Sequence, residues 1–327
     1  MRYVVLRLVQ GALSLALVVT LTFFAAELLP SDPARLAAGP QARAEEIARV
    51  RRALQLDAPV GQRWRRYVRE LAAGPAGERA PAAGAEAQRF AGVYFGYSHR
   101  YRRPVATLLR ERAPRSLLLA GAGLVWEMGL AGALLALAAH RRTRHGATLA
   151  LGAGAALTSV PLFLLAVVVQ YLVGYRLALL PLDGFGATPL ETARSLVLPS
   201  ACLGLYGCTS LARALRGHAS EIYRSDAVRA ARAKGAGATR VFLVHVLRRE
   251  ALPFATLLAL DFGMFLGGAL VVETTFRWPG LASLAVNAAL EGDGPVLLGA
   301  ALVLAAATIF VQTAVDVAAP WLDPRLR

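Results

Sequence analysis

Long apolar runs alternate with polar connectors along the whole chain. A helix needs about 20 apolar residues to cross a bilayer, and six runs are close to that length. They cover residues 8–29, 114–139, 147–173, 196–215, 254–272 and 295–317. The pattern predicts an all-α integral membrane protein with six transmembrane helices.

The first run follows the short basic stretch from Met1 to Arg7. It is longer than the roughly 7–15 residues of a signal-peptide core, and no clear A-x-A cleavage site follows it. We therefore expect residues 1–29 to be an uncleaved transmembrane anchor.

Residues 30–112 are polar and form an extramembrane region in this interpretation. Two helical stretches, ARAEEIARVRRAL and VGQRWRRYVRELAAG, lie between prolines, and residues 74–87 are rich in Gly, Ala and Pro, which is typical of a loop. The remaining residues, 113–327, contain the other five runs.

The charges of the short connectors predict the orientation. Connectors 140–145 and 217–252 are basic, whereas connectors 174–195 and 273–294 carry at least as much acid as base. Because basic connectors stay in the cytoplasm, both termini are expected there. Residues 30–112 are then extracytoplasmic, and loop 217–252 is cytoplasmic.

Composition agrees with a membrane protein: 56% of the 327 residues are hydrophobic, and the mean hydropathy is +0.49. The net charge of +15 comes almost wholly from arginine, with Lys234 as the single lysine. This bias is what a GC-rich coding sequence produces, so we do not interpret it as nucleic-acid binding. Cys202 and Cys208 are six residues apart in one apolar run and would point to different helix faces, which favours small core residues over a disulfide.

Loop 217–252 contains its own short helix. Ser225 or Asp226 can cap it, the following residues AVRAARAK favour helix, and Gly235 and Gly237 end it. A second helical stretch, TRVFLVHVLRREAL, runs up to Pro253.

Five residues of this loop match the pattern R-x-A-x-A-K-G, namely Arg229, Ala231, Ala233, Lys234 and Gly235. Other short elements accompany it in order: Pro30, Asp32 and Pro33; Leu54, Leu56, Asp57 and Pro59; 95–98 with Pro104 and Val105; 159–163; 198–199; His245, Arg248, Leu252 and Pro253; 273–281; 323–325. With these motifs the chain resembles the first of the two permease subunits in ABC importers for dipeptides, oligopeptides or nickel. Tyr94, Gln55, Arg249 and Asp261 depart from the family pattern.

The resemblance implies two cytoplasmic ATPase subunits, a second homologous permease and an extracytoplasmic substrate-binding protein. It also implies that the helix of loop 217–252 couples the permease to the ATPases. The coupling residues expected from it are Asp226, Val228, Arg229, Ala230, Ala231, Arg232, Ala233, Lys234 and Gly235. No G-x-x-x-x-G-K-[ST] phosphate loop occurs in the chain, so we expect no cofactor here and ATP-Mg on the partner subunits.

Four residues in or beside the apolar runs are candidates for the translocation path: Glu127, Pro161, Asp261 and Glu273. Ionisable residues inside a membrane usually face a bundle interior or a wet cavity, so Asp261 is expected to meet a cationic group. An interhelical hydrogen bond or a protonated, functionless carboxyl are the alternatives. Pro161 is expected to kink the third span, and Glu273 to shape an outer gate. Gly263 and Gly267 suit close helix contact, either with the partner permease or within the subunit.

The sequence offers little for an enzyme. The histidines form no H-E-x-x-H pair and no metal cluster, and Gly292-Asp293-Gly294 lies outside any run. A transporter without an ATPase partner and a membrane scaffold are the rival classes. The substrate, whether peptide, nickel or another small solute, is left open.

Overall fold

The computed structural model describes residues 2–28, 32–39, 41–74, 89–98, 100–139, 152, 154, 156, 159–241, 244 and 247–322. Three predicted features therefore lie wholly or mostly outside the described residues: the loop at 74–87, the basic connector at 140–145 and the first half of the third span. The same holds for motif residues Pro30 and His245 and for 323–325.

Helices make up most of the described chain. In order they are α1 (Arg2–Glu27), α2 (Pro33–Ala38), α3 (Ala44–Ala53), α4 (Val60–Ala73), α5 (Val105–Ala139), α6 (Leu162–Val169), α7 (Pro189–Arg224), α8 (Asp226–Ala233), α9 (Ala238–Val241), α10 (Leu247–Thr275), α11 (Leu281–Glu291) and α12 (Gly294–Leu322). A π-helical stretch, Gln170–Arg176, continues α6. The all-α membrane class is confirmed.

Two antiparallel hairpins of two-residue strands interrupt the helices. Strand β1 (Arg89–Phe90) pairs with β2 (Val93–Tyr94), and β3 (Tyr97–Ser98) pairs with β4 (Arg103–Pro104). The helical interpretation of residues 30–112 did not include them, because strands this short leave no period-2 pattern.

Five described helices are long and apolar enough to span a membrane: Val4–Glu27, Val105–Leu135, Pro189–Gly217, Ala251–Thr275 and Gly294–Trp321. They correspond to five of the six predicted spans. The remaining predicted span is the third along the chain, at 147–173. Its described helix, Leu162–Arg176, is too short to count as a span by itself, so the total of six spans stays a prediction.

The second span begins earlier than the apolar pattern indicated. Helix α5 starts at Val105, whose N–H donates to the carbonyl of Gly96 (3.1 Å), and it contains Pro114 in its interior. Its first turns carry arginines, which lower the local hydropathy without breaking the helix. Helix α7 also starts early, at Pro189, because Thr188 and Glu191 form a capping box.

The chain divides into two compact units. The first comprises Met1–Gly11, Leu117–Trp278 and Thr308–Arg327, and the second comprises Ala12–Ser116 and Pro279–Ala307. A core cluster in the first unit contains Cys208, Leu211 and Leu215 of α7 together with Ala131 of α5. Cys202 and Cys208 are both buried and free, as their spacing predicted.

The second unit joins the 30–112 region to the segment that precedes the last span. Its core contains Phe95, Val105 and Leu109 with Leu284 and Val296. Two side chains pin distant segments together: the Ser98 hydroxyl donates to Asp293 Oδ2 (2.5 Å), and the Leu281 N–H donates to Ser116 Oγ (2.7 Å).

A cleft of about 250 Å³ lies within this second unit. Its apolar wall includes Phe23 and Tyr67, whose rings stack with centroids 5.4 Å apart. Arg63 and Glu27 form an ion pair in the lining (2.6 Å), and burial raises the pKa of the Tyr67 phenol well above its usual range.

Candidate functional site

The candidate for coupling to the ATPases is helix α8, which begins directly after a break in the chain direction at Ser225. Ser225 is extended (φ −68°, ψ 150°), and its hydroxyl donates back to the carbonyl of Ile222 (2.7 Å). Its side chain therefore closes α7 and makes no cap hydrogen bond to α8, contrary to one of the two predicted caps. Asp226 lies in the first turn of α8, where a carboxylate complements the helix dipole.

The other end of α8 is closed by a Schellman motif. The Gly235 N–H donates to the carbonyl of Arg232 (2.9 Å), and the Ala236 N–H donates to the carbonyl of Ala231 (3.0 Å). Gly235 is left-handed, with φ of +82°. The glycine predicted to end the helix ends it by this geometry.

Only one side chain of α8 is buried. Val228 is 1% exposed and holds the helix against the body of the first unit. The other predicted coupling residues are exposed, except Ala231, which is half-buried: Asp226, Arg229, Ala230, Arg232, Ala233, Lys234 and Gly235. Arg229 and Asp226 approach each other at 3.6 Å on the exposed face. The helix thus presents small and basic residues outward.

The intramembrane candidates Glu127 and Asp261 lie together. Glu127 of α5 is fully buried, and its carboxyl interacts with that of Asp261 of α10. Neither oxygen of Glu127 has a hydrogen-bond partner of standard geometry among the described residues. Asp261 itself is half-buried. The structure therefore joins two acids that the sequence placed in separate spans.

Glycines bring Glu127 into this position. A Cβ on Gly207 of α7 would lie 2.4 Å from Glu127 Oε1, and a Cβ on Gly204 would lie 2.4 Å from the Cβ of Trp126. A Cβ on Gly123 would approach Leu203 and Phe265 at 3.1–3.2 Å. Small residues let α5 and α7 pack closely, and the carboxyl of Glu127 fills the space that Gly207 leaves.

The two glycines predicted for helix contact on α10 behave differently. A Cβ on Gly263 would lie 2.7 Å from Thr308 Cγ2 of α12, so this glycine serves packing within the subunit. Gly267 is exposed, and a Cβ there would meet nothing within 4 Å.

Pro161 lies between the helical positions Gly152, Gly154 and Ala156 and the start of helix α6. It is the N-cap of α6, and its carbonyl accepts the N–H groups of Leu164 (3.0 Å) and Leu165 (3.1 Å). A kink of the third span at Pro161 stays a prediction, because most of the span that precedes this proline lies outside the described residues. Glu273 lies near the end of α10 and is fully buried.

Two structural features of the first unit were not predicted from the sequence. Gly204 and Gly207 are spaced three apart on one helix face, a pattern that could have indicated close packing. Gln170 begins the π-helical stretch, and its amide donates to the carbonyls of Leu182 (2.8 Å) and Thr275 (3.2 Å). No local pattern marks such a bridge in advance.

Comparison with known proteins identifies the family. Residues 128–327 match the family described as "Binding-protein-dependent transport system inner membrane component". Residues 1–120 match its N-terminal counterpart, "Binding-prot-dependent transport system membrane comp, N-term". The chain belongs to this family of transport permeases.

Individual relatives cover the permease from end to end. It is 32% identical over 327 residues to the "Glutathione transport system permease protein GsiC" of Salmonella typhimurium and of Escherichia coli strain K12. The protein of the same name from Salmonella choleraesuis is 33% identical over 331 residues. In each case the match covers 100% of this chain and 99% of the relative.

The family membership confirms the general function. The permease is the inner-membrane, multi-pass subunit of an ABC importer, and the ATP chemistry belongs to separate subunits. It is a transport subunit and not an enzyme.

Proposed function

We propose that this permease forms half of the translocation pathway of an importer for peptides and peptide-like substrates, and that α8 couples it to the ATPases. The observation that supports the coupling role is the exposure of α8. The helix is closed at its C-terminal end by Gly235 and Val228 is buried, yet the other residues of the helix are exposed except the half-buried Ala231. A short rigid helix of this kind fits a groove on a partner.

The contacts of α8 explain how a movement would reach the membrane. Helix α8 packs against α7, and α7 packs against both α6 and α10. Alternating access needs an element whose contacts differ between two states. A displacement of α8 by the closing ATPases would be passed to α7 and α10, which carry Gly207 and Asp261.

The similarity to relatives named as glutathione permeases supports a peptide-like substrate. Nickel or another small solute is the alternative within the same importer type. We further propose the partners that binding-protein-dependent transport requires: a homologous second permease, two cytoplasmic ATPases and an extracytoplasmic binding protein.

ATP-dependent uptake tests the proposal. The permease would be purified with the ATPases that it retains during affinity capture and reconstituted with its binding protein in vesicles. We expect uptake of labelled dipeptide or glutathione that needs ATP. Uptake of nickel alone would contradict the peptide assignment.

Capture itself separates the rival classes. A P-loop ATPase should co-purify with the permease, and Gly235→Val should reduce ATP-dependent uptake while membrane insertion stays normal. Substrate transport by the permease without any ATPase would contradict the coupling role.

A further inference from the structure

The carboxyl of Glu127 is enclosed by protein on all sides. It is fully buried and makes no hydrogen bond of standard geometry with a described residue, but the carboxyl of Asp261 lies close enough to interact with it. Neither acid forms an ion pair with a described residue. A buried, unpaired carboxylate is very costly, and a second one beside it adds repulsion. The pair is therefore expected to share one proton and to hold one negative charge.

That charge is available only on the side of Asp261. Glu127 has no room for a ligand, because even a methyl group on Gly207 would collide with its Oε1. Asp261 is half-buried, and its neighbours Leu260 and Met264 are 50% and 64% exposed. Within the pair, Glu127 is thus enclosed by protein and Asp261 is accessible.

Contact with lipid would be unfavourable for the accessible carboxyl of Asp261. An ionisable group within a span faces protein or water in preference to hydrocarbon, so the exposed surface around Asp261 is expected to border the aqueous pathway or the partner subunit. A lone negative charge in that setting favours a small organic cation, and the adaptable side chain of Met264 suits variable apolar substituents.

We propose that Asp261 is a recognition site on the translocation pathway for the ammonium group of a peptide substrate, and that Glu127 is its positioning residue. This inference rests on the proposed peptide transport function and deepens it. Glu127 holds the shared proton, so the negative charge stays on Asp261, where the substrate can reach it. An inorganic cation such as sodium is the other positively charged ligand that Asp261 could bind.

Thermal unfolding of the detergent-purified complex, with its ATPases and without binding protein, tests the site. The two probes are alanylalanine amide and N-acetyl-alanylalanine amide, which differ in the ammonium group. The first should raise the unfolding midpoint, on the order of 2–4 °C near saturation, and the second should not. No rise with alanylalanine amide, or an equal rise with both, would overturn the proposal.

Three variants locate the charge. Asp261→Asn should lose the rise in unfolding midpoint with alanylalanine amide, and Asp261→Glu should keep it. The comparison separates loss of the negative charge from a folding defect. Glu127→Gln should also keep it, because a neutral amide replaces the protonated carboxyl. A rise retained in Asp261→Asn, or lost in Glu127→Gln at an unchanged midpoint, would contradict the assignment. An equal, Asp261-dependent rise with sodium chloride would identify an inorganic cation site instead.

Uptake measurements separate this inference from the proposed function. If Asp261→Asn imports dipeptides with wild-type kinetics, the recognition site is wrong and the peptide importer stands. If the wild type shows the Asp261-dependent rise but imports no peptide, the transport assignment is wrong and the cation site stands.

Discussion

Gly235 adopts a backbone conformation that residues with a side chain rarely adopt. Its φ of +82° places it in the left-handed region, and from there its N–H closes the last turn of α8. A Cβ at this position would meet nothing within 4 Å. Glycine is therefore required here for its backbone conformation, and not because a neighbouring residue leaves no room for a side chain.

We expect Gly235→Val to uncap α8 at a cost of roughly 1–2 kcal/mol or more, since left-handed backbone is unfavourable for a side chain. Coupling should fail, and ATP-dependent uptake in vesicles would fall strongly. The matched control is Gly237→Val, because Gly237 has no positive φ and equally open surroundings. Equal losses in the two variants would argue against a role for the cap.

Gly207 is required for the opposite reason, which is space. Its missing side chain is where the Glu127 carboxyl lies, with Phe265 also close to the position of a Cβ (3.1 Å). A methyl group here overpacks the contact between α5 and α7.

We expect Gly207→Ala to destabilise the permease by about 1–3 kcal/mol, measured as a lower midpoint of thermal unfolding. Gly217→Ala on the same helix should be neutral or stabilising by up to about 1 kcal/mol, because nothing lies within 4 Å and alanine favours helix. The double variant Gly207→Ala, Glu127→Ala should lose less stability than the two single losses added together. Strict additivity would mean that the two positions do not collide.

At the scale of elements, α8 is a helix held from one side. Val228 is its single buried side chain, whereas Ala230 and Ala233 are exposed. An isolated helix this short would be unstable in water, so its contact with α7 and its closed C-terminal end must hold it in place. The exposed alanines then allow a partner surface to come close.

Cysteine labelling tests this arrangement. Ala230→Cys should react rapidly with a hydrophilic maleimide in the permease alone and become protected when the ATPases are bound. Val228→Cys should stay unreactive in both states, and the native Cys202 and Cys208 are buried, so the background is low.

An exposed control position lies in connector 174–195, which the charge pattern puts on the other side of the membrane. Arg176→Cys should react equally with and without ATPases. If Ala230→Cys also reacts equally in both states, α8 is not the surface that the ATPases cover.

At the scale of the whole molecule, the basic connectors predict the orientation. Among the short connectors, loop 217–252 and connector 140–145 carry the excess of basic residues, and such connectors stay in the cytoplasm. Because connectors 140–145 and 174–195 are expected on opposite sides, the third span between them is expected to cross the membrane, although it is only partly described.

Reporter fusions check this orientation. A green fluorescent protein fused after Arg327 should fluoresce, because it folds in the cytoplasm. Alkaline phosphatase fused after Gly74, just beyond α4, should be active because it requires the extracytoplasmic side. A dark C-terminal fusion would contradict the predicted topology, and with it the cytoplasmic position of α8.

Much of this molecule is encoded locally. Apolar runs mark spans because the bilayer accepts only helices that satisfy their own backbone hydrogen bonds, and five of the predicted runs are long helices in the structure. The end of α8 was also predictable, because a Schellman motif depends on residues within two turns of one another. The family motif lies in the same continuous stretch.

Tertiary structure decided what no single stretch contains. Glu127 and Asp261 meet because Gly123, Gly204 and Gly207 let three helices approach closely, and the sequence does not say which helix faces will touch. In the same way, Ser98 donates a hydrogen bond to Asp293, which is 195 residues away in the sequence. The spans and helix α8 follow from local patterns and the bilayer, whereas the acidic pair exists only because small residues determine how the helices pack.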